Sequence, residues 1–396
     1  MRSRPVAVLV LALTIAVAVW PTDTSAQLPH VIYAPHVSGG ALFAAVPIGE
    51  GFDQVTAVTH AGDDRLFIVE RAGRIKVLQP DGQVSLFLDV SSRVVSSPGE
   101  YGMYDLAFHP GFGDPSSAGY GFFYVAYTGS YQGAVRLFIS RFQAPAGGLS
   151  ADPDSETWLL KEQQNYSWHK GGELEFAPDG QHLFAGLGDD KQPLLAQSIK
   201  SPKGKLIRLR VDDVPRETLG DATGLIDDEV WVLGLRNPWR FDIDPASGQI
   251  FIGDVGEQLW EEVNVLALAG QYANFGWPCM EGSEEIPLFA DYDECQNASA
   301  FRPPAFAYRH ELDRCAIIGG KVYRPASNPL DGRYIFGDLC SREIWALSAV
   351  NGVWQASPLG LVDGIELLAT IGEDHKGNLY AGTTSSHAPI YRLAIP

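Results

Sequence analysis

The chain has 396 residues, 45% hydrophobic and 19% charged, with 42 glycines, 26 prolines and a formal net charge of −19. That is too apolar for a disordered chain and enough for one large or two ordinary domains, with glycine and proline to spare for many short strands joined by turns. An acidic surface of this kind repels phosphate backbones and argues against nucleic acid as a partner.

The first residues read as an export signal. Arg2 and Arg4 precede an apolar run from Val6 to Trp20, and Thr24-Ser25-Ala26 offers small residues for cleavage. The run is short for a bilayer span, and no later segment is apolar for long enough. The mature chain is therefore expected to begin near Gln27, to lack an integral membrane span and to be secreted or periplasmic. Export makes the four cysteines two disulfides. Three connectivities are open to them, and there is no Cys-x-x-Cys spacing to suggest zinc.

Residues 27–50 read as a lead-in. From Gly51 one pattern recurs: a polar or glycine turn, an apolar strand, a Gly or Asp stop, and a second strand ending in Leu or Phe. It begins as Leu66-Phe67-Ile68-Val69 with Ile75-Lys76-Val77-Leu78, and returns at Phe122–Tyr127, at Leu183–Gly186, at Ile250–Asp254, at Tyr334–Asp338 and at Leu379–Gly382, each with a following strand. A two-stranded hairpin cannot bury both faces alone, whereas four-stranded blades stacked around an axis can. Six copies therefore predict an all-β fold, a six-bladed β-propeller, as one domain over 51–396. An array of β-sandwiches would leave the repeated Gly-Asp stop without a reason.

Within the third copy lies Trp168-His169-Lys170-Gly171-Gly172, followed by the alternating Glu173-Leu174-Glu175-Phe176, a Pro178-Asp179-Gly180 turn, and Leu183 to Gly188-Asp189-Asp190. The glycine pair lets the backbone bend or approach closely. The loop thus presents His169 at one end of a sheet. A lone histidine in a loop is usually just hydrogen-bonded there. An imidazole near neutrality can also accept a proton from substrate.

The second half is denser in motifs: Gly234-Leu235-Arg236-Asn237-Pro238-Trp239-Arg240, Gly253-Asp254-Val255-Gly256-Glu257, Trp260-Glu261-Glu262, Asn274-Phe275-Gly276-Trp277-Pro278-Cys279 and Gly337-Asp338-Leu339-Cys340, with Gly99-Glu100-Tyr101-Gly102 upstream. In this order, from residue 51 to the C-terminus, they resemble the glucose/sorbosone dehydrogenase family, which includes soluble quinoprotein sugar dehydrogenases and the propeller of Hedgehog-interacting-protein-like proteins. The resemblance implies a six-bladed propeller that oxidises an aldose sugar by hydride transfer to pyrroloquinoline quinone (PQQ) and passes electrons to an external acceptor. It puts His169 at the family's general base, Arg236 and Asn237 at the pair that contacts the quinone, and Glu100 on the sugar side. It also puts Gly256 and Glu257 at the turn whose main-chain carbonyls help hold calcium, a hard ion suited to oxygen ligands.

Two departures stand out. Cys340 occupies a position where the best-known enzymes carry lysine, and Glu366-Leu367-Leu368-Ala369-Thr370 runs where they carry two arginines. Lys170, Arg240 or Arg314 are the cations available to compensate. The competing reading is a non-catalytic propeller that binds a glycan or protein on its top face. A calcium-dependent lactonase would need a ring of acidic and amide ligands that the sequence does not display. For the cysteines, Cys279 and Cys295 bracket a short acidic insertion, while Cys315 opens a strand whose blade ends its Gly-Asp stop at Cys340. The predicted pairs are Cys279–Cys295 and Cys315–Cys340.

Overall fold

A strand with apolar side chains on both faces must be covered on both sides, and the recurring strands are of that kind. The structure, a computed structural model, describes residues 42–145, 148–211, 229–270, 272–325 and 328–395. The expected export signal and most of the lead-in lie outside the described residues. Six antiparallel four-stranded units form the fold, one of them extended by a short fifth strand. Their innermost strands, in chain order, are Val55–Thr59, Met103–Phe108, Gly171–Phe176, Pro238–Asp244, Ile317–Tyr323 and Leu368–Glu373. Each packs beside the next, and the last returns to the first, which closes the ring. This is an all-β six-bladed propeller. No α-helix occurs among the described residues, only short 3-10 turns.

The sequence copies correspond to the second and third strands of each blade, such as Leu66–Glu70 with Arg74–Leu78 and Arg333–Asp338 with Glu343–Val350. Alternation then divides each second strand between two neighbours. In blade one, Phe67 and Val69 join a core shared with blade two, while Leu66 and Ile68 join one shared with blade six. Six such cores, one at each blade junction, account for the whole ring. Phe67 is fully buried in its core, where truncation to Ala costs on the order of 3–5 kcal/mol.

The structure extends the propeller upstream of Gly51. Strand Ala44–Phe52 pairs antiparallel with Ala388–Ala394 and supplies the outer strand of blade six. Three strands from the C-terminal end and one from the N-terminal end thus make a single sheet, so the two ends of the domain clasp each other. Both disulfides form as predicted, Cys279–Cys295 and Cys315–Cys340. They suggest an extracytoplasmic protein. No helix among the described residues is long and apolar enough to cross a membrane.

Inner strands face the axis, and they carry charge there. Lys321 lies 3.3 Å from Glu173, 3.2 Å from Glu175 and 3.1 Å from Asp242. Burial pushes Glu173 and Glu373 up to about 7, and Glu175 well above its ordinary range, with Lys321 pulling the other way. A carboxylate with a raised folded value stabilises the fold below its unfolded value, near 4.3, and that contribution is lost as pH rises through about 7. His60, held down to about 4 chiefly by burial, acts oppositely: its contribution is present above 6.5 and lost as pH falls. The thermal midpoint is therefore expected to peak in mildly acid solution and to fall by several degrees towards pH 8. Lys321→Met should deepen that alkaline loss, because it leaves buried carboxylates without their cation. A midpoint that is flat or rising from pH 5.5 to 8, in a denaturation series, contradicts this account.

Candidate functional site

We call the end where the inner strands begin the top. The segments leading into those strands need partners for their N–H groups, and the blades supply them in one recurring way. The acidic residue that ends a second strand accepts from the segment leading into the inner strand of the same blade. Asp254 accepts from the N–H groups of Arg236 (3.0 Å) and Asn237 (2.7 Å). Asp338 accepts from Cys315 and Ala316, both at 3.1 Å. Glu70 accepts from Asp53 at 2.9 Å. In blade two the hydroxyl of Thr128 does this for Gly102 at 2.8 Å. Burial pushes Asp254 up to about 7 against the pull of those N–H groups.

Blade three has two acids in a row. Asp190 performs the shared task, accepting from Asn165 (2.8 Å) and Tyr166 (3.0 Å). It also pairs with the ammonium groups of Lys170 and Lys203. Asp189 is left for another purpose. Its Oδ1 lies 2.6 Å from His169 Nδ1 and accepts from the Lys191 N–H at 2.8 Å, while its Oδ2 accepts from Trp277 Nε1 at 2.9 Å. His169, Asp190 and Lys191 all take left-handed φ, near 60°, 54° and 52°. Such conformations are sparsely populated and persist where the surroundings impose them. Gly171 and Gly172 serve both purposes that the sequence suggested. Both have positive φ, and a Cβ on Gly172 would lie 2.6 Å from Tyr104.

The other face of the imidazole meets Arg236, whose Nη2 lies 2.9 Å from His169 Nε2. A guanidinium only donates. Nε2 is therefore the acceptor in this arrangement, and the ring proton sits on Nδ1, donated to Asp189. Arg236 also donates to the Val255 carbonyl at 2.9 Å, pairs with Glu257 and lies over the Trp277 ring. Burial pushes Glu257 up, but Arg236 prevails and holds it below the usual carboxylate range.

The structure brings His169, Arg236, Asn237 and Glu100 together. Asn237 accepts from the Gly171 N–H at 2.9 Å, and Glu100 accepts from the Lys170 N–H at 2.9 Å and faces the Asn237 amide at 3.4 Å. Beside them opens a cavity of about 390 Å³ walled by Trp168, Trp239, Val255, Ile317, Leu339 and Leu367, with Glu100, Asn237 and Arg71 among its polar groups. Its size falls within the range of small-molecule sites, roughly 300–1,000 Å³. Gly256 and Glu257 lie at the edge of the site, in a turn pinned by buried Glu281, whose Oε1 accepts from the N–H groups of Glu257 (2.8 Å) and Gln258 (2.9 Å). Among the described residues no group of three or more His, Cys, Asp or Glu is placed to cage a metal.

The three compensating cations are elsewhere engaged. Lys170 is turned into the protein onto Asp190 and Gln164. Arg240 lies in the axial channel and donates to the carbonyls of Thr56 and Tyr104. Arg314 pairs with Glu343 at 2.6 Å. Cys340 is committed to its disulfide. Sequence reasoning missed Arg71, Asp189, Trp277 and Glu281. Only the doubled acid after Gly188 gave a local sign.

A family model described as "Glucose / Sorbosone dehydrogenase" matches residues 52–392. The chain belongs to that family. It is 26% identical to the HIPL1 protein of Arabidopsis thaliana over 96% of this chain and 65% of that protein. The chain spans less than two thirds of the length of the first curated relatives it matches. Among solved structures it is similar to the apo-form of the soluble aldose sugar dehydrogenase of Escherichia coli, with a TM-score of 0.71 and 20% identity over 89% of this chain and 100% of that one. It is also similar to the PQQ-bound aldose sugar dehydrogenase of Streptomyces coelicolor, with a TM-score of 0.66 and 19% identity over 90% of this chain and 99% of that one. These two likenesses establish the fold.

The division of labour between the two aspartates is testable. Asp190→Asn should destabilise the fold by about 3–5 kcal/mol, because it leaves buried Lys170 without its carboxylate and Lys203 with only Glu162, 3.7 Å away. Asp189→Asn should leave the fold largely intact. Chemical denaturation decides: equal losses in both variants contradict the assignment.

Proposed function

We propose that the protein is an exported sugar dehydrogenase of the quinoprotein type, with His169 as general base. The observation that carries the reading is the Asp189–His169–Arg236 line, which leaves Nε2 as the accepting nitrogen beside a cavity of cofactor size. PQQ fits this cavity in its flat apolar walls and in the guanidinium of Arg71 that lines it, with Arg236 bonded to the carbonyl of Val255 in its wall. It would be held by these two and Asn237, with fewer cations than the best-known relatives bring. Calcium, in this reading, would be held by main-chain carbonyls of the Gly256-Glu257 turn.

When bound, the quinone supplies a two-electron acceptor for the hydride from the sugar carbon. His169 Nε2 takes the proton of the sugar hydroxyl. Sugar binding must first displace the Arg236 N–H from that nitrogen. Asp189 then stabilises the imidazolium through Nδ1–H, and Trp277 and the Lys191 N–H keep the aspartate in line. Arg236, released from the ring, can stabilise negative charge that develops on an oxygen. Glu100 orients sugar hydroxyls. The walls of Trp168, Trp239 and Leu339 exclude water from the transfer.

A second reading is favoured by two observations. Glu257 already neutralises Arg236, and Cys340 is locked in a disulfide. Both suit a propeller whose top face binds a glycan or protein partner without chemistry. Titrating the purified apoprotein with PQQ and calcium, then assaying aldoses with an artificial dye, separates the two. The dehydrogenase reading expects saturable quinone binding, a turnover loss of about 10²–10⁴-fold in His169→Ala, and weaker quinone binding in Arg236→Ala that Arg236→Lys does not restore. Absence of quinone binding in the wild type hands the site to the second reading.

A further inference from the structure

A second basin opens on the same top face, where blade two meets the 188–204 loop of blade three. It holds about 400 Å³ and is lined by Arg136, Glu162, Gln192, Lys200, Ser201 and Lys203, among other polar groups. Its composition is unlike the apolar cavity beside His169. Three of these side chains are cationic and one is acidic, in a chain whose formal net charge is −19. Lys203 is buried, lies 2.8 Å from Asp190 and 3.7 Å from Glu162, and forms the basin's deep wall. Burial pushes Glu162 up to about 7, so near neutrality it cancels less positive charge than its formal count suggests. Lys200 stands exposed at the rim. A positive basin on an acidic protein attracts anions only over short range, which suits a ligand that is also held by other contacts.

The ground between the two openings supplies such contacts. The segment Asn165–Lys170 forms the ridge, and on it Tyr166 and Trp168 are 51% and 50% exposed. Large aromatic rings left half in water offer flat apolar faces, which pack well against the C–H face of a pyranose. Asp190 joins the two sides, since it accepts from the ridge backbone at Asn165 and Tyr166 and pairs with Lys203 of the basin. Asp190 thus ties the ridge between the two openings to Lys203 in the basin.

We propose that this basin is a binding subsite for the carboxylate-bearing unit of an acidic oligosaccharide whose reducing end reaches the His169 cavity across Trp168 and Tyr166. The inference rests on the sugar-binding reading of that cavity but not on turnover. Amide and hydroxyl groups of Gln192 and Ser201 suit sugar hydroxyls, while Arg136 and Lys200 suit the carboxylate.

Calorimetric titration of the apoprotein, without quinone, tests it. The probes are a neutral glucose trisaccharide, a trisaccharide of the same linkage with a non-reducing glucuronate, and inorganic phosphate. The acidic trisaccharide should bind at least about tenfold more tightly than the neutral one, with the advantage lost at high salt and in Lys200→Glu. Trp168→Ala should weaken both sugars. Equal affinities for the two trisaccharides, an acidic preference unchanged in Lys200→Glu, or phosphate binding without any oligosaccharide binding would each overturn the proposal. Because no turnover is measured, failure of the dehydrogenase reading leaves the result intact: a protein inert towards the quinone that still prefers the acidic sugar keeps the subsite.

Discussion

The top of this propeller depends on one interaction: a buried side-chain oxygen at or within three residues of the end of a blade's second strand, accepting from the N–H groups that lead into the inner strand. Glu70, Thr128, Asp190, Asp254 and Asp338 each do this for their own blade. Backbone N–H groups at such junctions have no sheet partner, and leaving them unpaired when buried is costly. The repeated Gly-Asp stop is therefore a structural device first. It fixes where each inner strand begins, and so where anything carried on those loops must point.

Blade three shows how chemistry can be grafted on that device. There Asp190 takes over the structural bonds, and the extra acid, Asp189, turns to His169. Blade four makes a related use of its own device, because the two N–H groups that Asp254 accepts belong to Arg236 and Asn237. The tie that begins the inner strand also sets the guanidinium against the imidazole. Glu281, brought in by the insertion that Cys279–Cys295 closes, steadies the neighbouring turn at Glu257. Trp277, just ahead of that insertion, completes the grip on Asp189. A segment that looks like decoration on blade four is part of the support for the histidine.

Much of this was legible in the sequence because of burial on two faces. Second and third strands lie between two neighbouring blades, so they read as near-continuous apolar runs such as Leu66-Phe67-Ile68-Val69, and six of them could be counted. Inner strands were harder to see because they face the axial channel with charge. Glu173 and Glu175 interrupt one, Asp242 and Arg240 another, Lys321 a third. Strand Ala44–Phe52 was read as lead-in because its partner, Ala388–Ala394, lies at the opposite end of the chain and no local pattern announces it. His169, Glu100 and the Arg236-Asn237 pair could be found because they stand in motifs. Asp189, Trp277, Arg71 and Glu281 act through space on residues far along the chain, and spacing carries no trace of that. The expected compensating cations failed for a related reason: Lys170 neighbours His169 in sequence, but its side chain leaves the loop on the opposite side, towards Asp190.

The central claim is that this architecture holds His169 as a base, with its proton fixed on Nδ1 by Asp189 and Nε2 accepting. Nuclear magnetic resonance of the apoprotein labelled with 15N-histidine, at a pH where the ring is neutral, reads the tautomer directly. The account predicts a protonated Nδ1 and an unprotonated Nε2 for His169, a preference that Asp189→Asn keeps as long as Arg236 still donates to Nε2. A proton on Nε2 in the wild type would contradict it, because the nitrogen facing Arg236 would then be a donor and not the base.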